Sequence, residues 1–373
     1  MPLALKTAAS PSDAGGSAPF NYFLHSHGPA SAPTLYLGWV LAAICAAVCV
    51  LIAGLLAYAI WRRRAASERD VIGDPGRSLR WIGIGTALST VVLCGLAAYA
   101  LTVLAEVGAP PRAAALSIAV TGYDWWWRID YGDGAQRFST ANELHIPVGV
   151  PVRVRLDSAD VIHAFWVPQL AGKTQMIPGV SNEQWLQADA PGLYRGECTQ
   201  FCGAQHAHMA FDVIAQSPAD FAAWRERQQR GAAPPSPDIA AHSTPSPDIA
   251  ARPTSSPDIA ARPAPSPDML AQSAPSGADA SQRLSIAGQA LFMDRCAGCH
   301  TVRGSEARGE HGPDLTHLLD RRMLGAGLLT NTAAHRIDWV ARVQSYKPGA
   351  RMPDIALSAA DRADLGAYLD TLQ

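Results

Sequence analysis

Two long apolar runs without a single charge constrain this chain more than any other feature. Residues 35–60 and 81–105 give 26 and 25 uncharged positions. Either is enough to cross a hydrocarbon core of ~30 Å, which takes about 20 helical residues. Two buried core helices are the alternative, and the flanking charge argues against it. Arg62, Arg63, Arg64, Arg69, Arg77 and Arg80 crowd the connection, whereas Lys6 precedes the first run and Arg112 follows the second. The positive-inside rule then puts the 61–80 loop in the cytoplasm, and residues 1–34 and everything after about 106 on the other side. The first residues lack a basic stretch followed by a short apolar core, so an ordinary signal peptide is not expected.

At 373 residues the chain is long enough for two or three domains. A net charge of −2 gives no signature of a nucleic-acid partner. The seven cysteines fall into three groups and do not form a secreted disulfide framework. Cys45, Cys49 and Cys94 lie inside the apolar runs and read as apolar fillers.

Beyond the runs, residues 114–131, 150–156, 184–188 and 210–214 are short alternating segments punctuated by Gly and Pro. So many short strands in about 100 residues predict an antiparallel sandwich or barrel. Residues 218–230 read as a closing helix. Within this region Cys198, Cys202, His206 and Met209 crowd one tight loop. Thiolate, imidazole and thioether are soft ligands that suit copper. Two thiolates can bridge two copper ions, each of which then needs an imidazole and a weak outer ligand. The loop supplies one imidazole and one thioether, so a second histidine is required from elsewhere, and His163 in the segment 160–168 offers it. His208 reads as a solvent-facing neighbour.

Residues 231–281 contain 11 prolines and no aromatic residue, and a Ser-Pro-Asp-Ile-Ala-Ala unit recurs every ten residues from Ser236. Such a segment cannot offset the entropy of ordering, and it reads as a tether. As a flexible coil it spans roughly 40 Å on average. The last domain, 282–373, carries Cys296-Ala297-Gly298-Cys299-His300, the pattern of c-type haem attachment. The two thiols bond the haem vinyl groups and the adjacent imidazole becomes an axial ligand. Helix candidates lie at 285–295 and 358–372.

From about residue 35 to about 225 the chain strongly resembles cytochrome c oxidase subunit II, and 282–373 resembles the small class of cytochrome c. The fold this implies is a two-helix transmembrane hairpin (35–105), an all-β cupredoxin-like barrel (113–230) and an all-α class I cytochrome c. By resemblance, Cys198 and Cys202 bridge a dinuclear copper centre, CuA. His163 and Met209 complete one copper, and His206 with the backbone carbonyl of Gln200 completes the other. One haem c is held covalently by Cys296 and Cys299, with His300 and Met352 axial and the Pro313 carbonyl orienting His300. His311, His317 and His335 are rivals for the sixth position and rank below Met352. The matched residue for electron entry from cytochrome c is Trp125, in the aromatic patch 122–127.

The resemblance also implies the function, that of electron-transfer subunit II of a terminal oxidase of the caa(3) type. Electrons would pass from the attached haem through CuA to a catalytic subunit that reduces oxygen to water and pumps protons. The implied partners are that subunit I, a subunit III, membrane lipid and an upstream cytochrome c or quinol–cytochrome c reductase. The implied location is the bacterial inner membrane, with both redox domains on the periplasmic side. A subunit of a nitrogen-oxide reductase with a similar copper site, or a non-enzymatic membrane redox or copper protein, are the competing readings. Three positions depart from the family. Gln200 and Gln175 stand where a glutamate and an aspartate often serve a magnesium site, for which an amide is a poorer ligand. No acid lies at 76–81, where many members carry a glutamate at a proton channel.

Overall fold

The computed structural model describes residues 22–62, 75–232 and 277–373. The N-terminal stretch before Tyr22, the arginines at 63, 64 and 69 and the serine–proline repeat lie outside the described residues. The chain divides into two compact units, the first reaching Gln229 and the second beginning at Arg230.

In the first unit, helices α1 (Ala32–Trp61) and α2 (Pro75–Gly108) contain the two apolar runs. Their apolar surface stays uncovered: none of the most apolar window of α1 and 6 % of that of α2 is buried in the chain. Leu51, Leu55, Leu88, Val91 and Leu104 are all exposed. A soluble domain does not tolerate apolar area on this scale, which belongs against lipid or a partner. The helices therefore anchor the chain in a membrane rather than forming a core. Both ends of the hairpin are tied to the β-domain. The Trp185 indole donates to the Val107 carbonyl at 2.8 Å, near the end of α2. Ahead of α1, the His27 N–H donates to Gln169 O and the Asp189 N–H to His27 O, each at 2.8 Å.

The β-domain is a sandwich of two five-stranded sheets. One sheet has the order β3-β2-β1-β5-β8, from β1 (Leu116–Tyr123), β2 (Trp126–Tyr131), β3 (Phe138–Ala141), β5 (Val152–Ser158) and β8 (Asn182–Leu186). The other runs β4-β10-β9-β6-β7, from β4 (Glu143–Pro147), β6 (His163–Trp166), β7 (Lys173–Met176), β9 (Gly192–Cys198) and β10 (Ala210–Gln216). The expectation of an antiparallel domain needs correcting, because β1 pairs with β5, and β4 with β10, in parallel. These two pairs join strands far apart in sequence, so local alternation carries no sign of them. The alternating run 114–131 is two strands, β1 and β2, turning at Asp124 and Trp125.

Alternation along β5 puts Val152, Val154 and Leu156 fully inside while Arg153 and Arg155 face solvent. Trp127, Phe165 and Phe211 meet in the middle of the core, with Phe165 and Phe211 stacked at 4.7 Å and Trp127 edge-on to Phe165 at 6.0 Å. Each such side chain contributes about 1.5–3 kcal/mol by leaving water. Helix α3 (Pro218–Gln229) closes the far end through Phe221 and Trp224.

The second unit is built on α4 (Gly277–Arg295), α5 (Ala333–Tyr346) and α6 (Ala359–Leu369). The middle helix was not anticipated, and a ribbon of two-residue strands, Met323–Leu324 with Leu329–Thr330, is also present. Ser358 caps α6 with a full capping box to Asp361. Helices α4 and α6 pack closely through Phe292, Leu365, Tyr368 and Leu369, all buried. Gly288 permits this, since a Cβ there would lie 1.9 Å from the Asp364 carbonyl oxygen.

Candidate functional site

Two constellations in this chain have the chemistry to hold redox groups, one in each unit. The first lies where β9 leaves the sandwich and β10 re-enters it. The Cys198 N–H donates to Met209 O and the Thr199 N–H to Ala164 O, both at 3.1 Å, which fastens the loop at its base. Six donor atoms then converge. The Sγ atoms of Cys198 and Cys202 are 3.8 Å apart. His163 Nδ1 is 3.9 Å from Cys198 Sγ, and His206 Nδ1 is 3.6 Å from Cys202 Sγ. Met209 Sδ is 3.8 Å from Cys202 Sγ, and the Gln200 carbonyl oxygen is 3.2 Å from Cys198 Sγ. His163, Cys198, Cys202 and Met209 are buried, and His206 and Gln200 are half-buried. His208 points elsewhere, with Nδ1 2.8 Å from Gln205 Oε1.

The donor set fits a metal cluster. Both cysteines are free thiols. A metal ion about 2.3 Å from both sulfurs would subtend roughly 110° across their separation, near the tetrahedral angle. Charge points the same way. The Cys198 thiol is pulled down to about 4 by its hydrogen bond with Cys202 and by His163, against the cost of burial. Cys202 is pushed up by that same neighbour and by burial. Two adjacent thiols resist becoming two thiolates until a cation sits between them.

Asp160 is a further residue of this cluster, to which the sequence reading assigned no role. Its carboxylate meets His163 Nε2 at 2.9 Å and accepts the Asp124 and Val161 N–H groups at 2.8 Å. Burial works against that carboxylate, and these three bonds more than offset it, holding it below the ordinary range. For His163 burial again opposes the charged form, but Asp160 and Cys198 outweigh it and raise the imidazole to about 9. The one available signal was an acid three residues before a candidate ligand. The aromatic patch divides three ways. Trp125 is half-buried and its Nε1–H donates to the Cys202 carbonyl at 2.9 Å. Trp126 stacks on Tyr123, and Trp127 is fully buried beside His163. Gln175 is exposed on β7.

The second constellation follows α4. The Cys299 and His300 N–H groups both donate to Cys296 O, at 3.0 and 2.9 Å, so the attachment motif is one tight turn. His300 Nδ1 lies 2.8 Å from the Pro313 carbonyl, an arrangement in which Nε2 is the nitrogen suited to a metal. The ring sits on Gly312, where a Cβ would come within 2.6 Å of it. Burial lowers the His300 pKa, with Arg321 adding to it against the Pro313 bond, which favours the neutral imidazole that a metal requires. Burial also pushes the Cys296 thiol up to about 11, and Cys299 adds to that. These residues suit a covalently held haem. Met352 is half-buried on the loop after α5. The rival histidines are engaged or exposed. His317 Nε2 lies 3.1 Å from Arg230 O, His335 Nδ1 lies 2.8 Å from Thr330 O, and His311 is exposed.

Comparison with known proteins finds a family for the region around each constellation. Residues 132–216 match the family described as cytochrome c oxidase subunit II, periplasmic domain, and residues 285–373 match cytochrome c. A cytochrome c oxidase subunit 2 from Alkalihalophilus pseudofirmus is 28% identical over 323 residues, 84% of this chain and 79% of that one. Its counterpart from Cereibacter sphaeroides is 27% identical over 56% of this chain and 80% of that one. The solved periplasmic domain of subunit II of the Bradyrhizobium japonicum cytochrome oxidase is 33% identical, with a TM-score of 0.31, over 32% of this chain and 96% of that one. Residues 132–216 thus form a cytochrome c oxidase subunit II periplasmic domain and residues 285–373 a cytochrome c domain, in a chain whose relatives are named cytochrome c oxidase subunit 2.

Proposed function

We propose that this chain is the electron-entry subunit of a terminal oxidase, taking electrons at its own cytochrome domain and delivering them to a catalytic subunit I beside it in the membrane. When bound, a haem c and a dinuclear copper centre supply one-electron carriers of small reorganisation, feeding a partner that reduces oxygen to water and moves protons. The observation that carries this reading is the convergence of His163, Cys198, Cys202, His206 and Met209 in a chain that also holds a haem-attachment turn.

Cys198 and Cys202 would bridge the two coppers, with His163 and Met209 on one and His206 and the Gln200 carbonyl on the other. The buried position of His163 and both sulfurs keeps water away and holds the donors in one geometry for both oxidation states. Trp125, bonded to the loop through the Cys202 carbonyl, is the entry residue. Cys296 and Cys299 would hold the haem c, with His300 and Met352 as its axial pair.

The hairpin crosses a bacterial inner membrane twice, with the arginine-rich connection in the cytoplasm and both redox domains outside. The ties of His27 to Gln169 and Asp189 support this, because they put the chain ahead of α1 on the side of the β-domain. Subunits I and III and lipid cover the exposed faces of α1 and α2. The repeat tethers the haem domain, giving it an effective concentration on the order of millimolar. Purification from membranes with the partner subunits tests this. Two coppers and one c-type haem per chain are expected, and His206→Ala should abolish cytochrome-driven oxygen uptake while the haem still reduces. Undiminished uptake would refute the relay.

A further inference from the structure

Helix α5 holds a relationship that the relay does not use. Arg342 departs from helical geometry, with φ −141° and ψ 35°. An unbroken helix would pair the Gln344 N–H with the Val340 C=O. The following loop takes up both groups. The Gln344 N–H donates to Asp354 Oδ1 at 2.7 Å, and the Ile355 N–H donates to Val340 O at 3.1 Å. The Gln344 side chain goes further. Its Nε2 donates to the carbonyls of Ala350 at 2.8 Å and Met352 at 2.6 Å, and its Oε1 accepts the Gly349 N–H at 2.9 Å. One amide thus satisfies three backbone groups across four residues, in a loop with no helix or strand of its own.

We infer that Gln344 is a positioning residue for Met352, fixing the backbone from which the thioether reaches the haem iron. The inference rests on the reading of Met352 as the axial ligand. Glutamine suits the task because one planar group both donates twice and accepts once. The kink frees that group to face the loop, so a helix irregularity and a ligand loop are one device. A purely stabilising role would lower the melting temperature of the domain and leave ligation unchanged.

The test uses the full-length chain with its haem attached, in detergent, and adds imidazole as a competing ligand to the ferric form. Gln344→Leu removes all three side-chain bonds. Gln344→Glu keeps the size and the acceptor but loses both donors, and so covers the case in which leucine disturbs folding. Both should raise imidazole affinity by roughly tenfold or more, as expected from losing two or three hydrogen bonds, and should weaken the sulfur-to-iron charge-transfer band. Far-UV dichroism and covalent haem should stay as in the parent. Met352→Ala is the control and should abolish the band. If it does so while both Gln344 variants bind imidazole as the parent does, Gln344 has no positioning role. If Met352→Ala leaves the band intact, the axial assignment fails and the inference goes with it.

Discussion

The Asp160 carboxylate lies 2.9 Å from Nε2 of His163, and this bond turns the opposite ring nitrogen toward the sulfur of Cys198. A carboxylate behind a ligating imidazole fixes its tautomer and raises its basicity. Asp160→Asn keeps the shape but weakens the bond to a fully basic ring. Copper affinity should fall about 10–100-fold, measured by competition against a chelator, with two coppers still bound at saturation. Unchanged affinity would mean that the loop alone orients His163.

The sulfur pair offers a second test. A serine at 202 cannot bridge as a thiolate does, and Cys202 is also the sulfur nearest His206 and Met209. Cys202→Ser should therefore drop copper from two per chain to one or none, by elemental analysis, while covalent haem content stays the same. Two tightly held coppers in this variant would rule out the bridging role.

Acid should weaken the β-domain through a residue remote from the metal loop. His145 is buried, stacked on Trp224 at 4.0 Å, with Nδ1 3.1 Å from Gln216 Oε1. Burial lowers its pKa from 6.5 to about 4, with a smaller push from Arg227 and a partial offset from Gln216. The folded state therefore binds the proton less well than the unfolded chain. Its contribution is complete above pH 6.5 and is lost as pH falls toward 4. The loss between pH 7 and pH 4.5 should be about 2–3 kcal/mol, read from denaturant midpoints, and His145→Gln should flatten this part of the profile.

The crossing of α4 and α6 should be intolerant of any side chain at Gly288. Beyond the Asp364 carbonyl, an added Cβ would meet the Tyr368 Cβ at 2.9 Å. Gly288→Ala should cost roughly 1–3 kcal/mol by forcing the helices apart, seen as a lower melting temperature of the haem domain with the copper domain unaffected. An unchanged transition would show that the helices can slide at no cost.

The sequence alone determined the parts of this protein whose chemistry is local. Two uncharged runs dictated a pair of membrane-anchoring helices, because hydrocarbon thickness and helix rise leave little freedom. The Cys198–Met209 spacing and the Cys296–His300 turn marked candidate donors, because these side chains sit on single loops where a few residues fix the separation. Tertiary structure decided what depends on distant partners. The parallel pairing of β1 with β5 and of β4 with β10 joins strands that no window of sequence places together. The roles of Asp160 and His145 became visible only once turns and strands had brought them against His163 and Trp224. The kink at Arg342 that turns Gln344 toward the Met352 loop has no signature in composition or periodicity. Hydrogen bonding between segments is set by the fold, whereas ligand type and apolar length are written residue by residue.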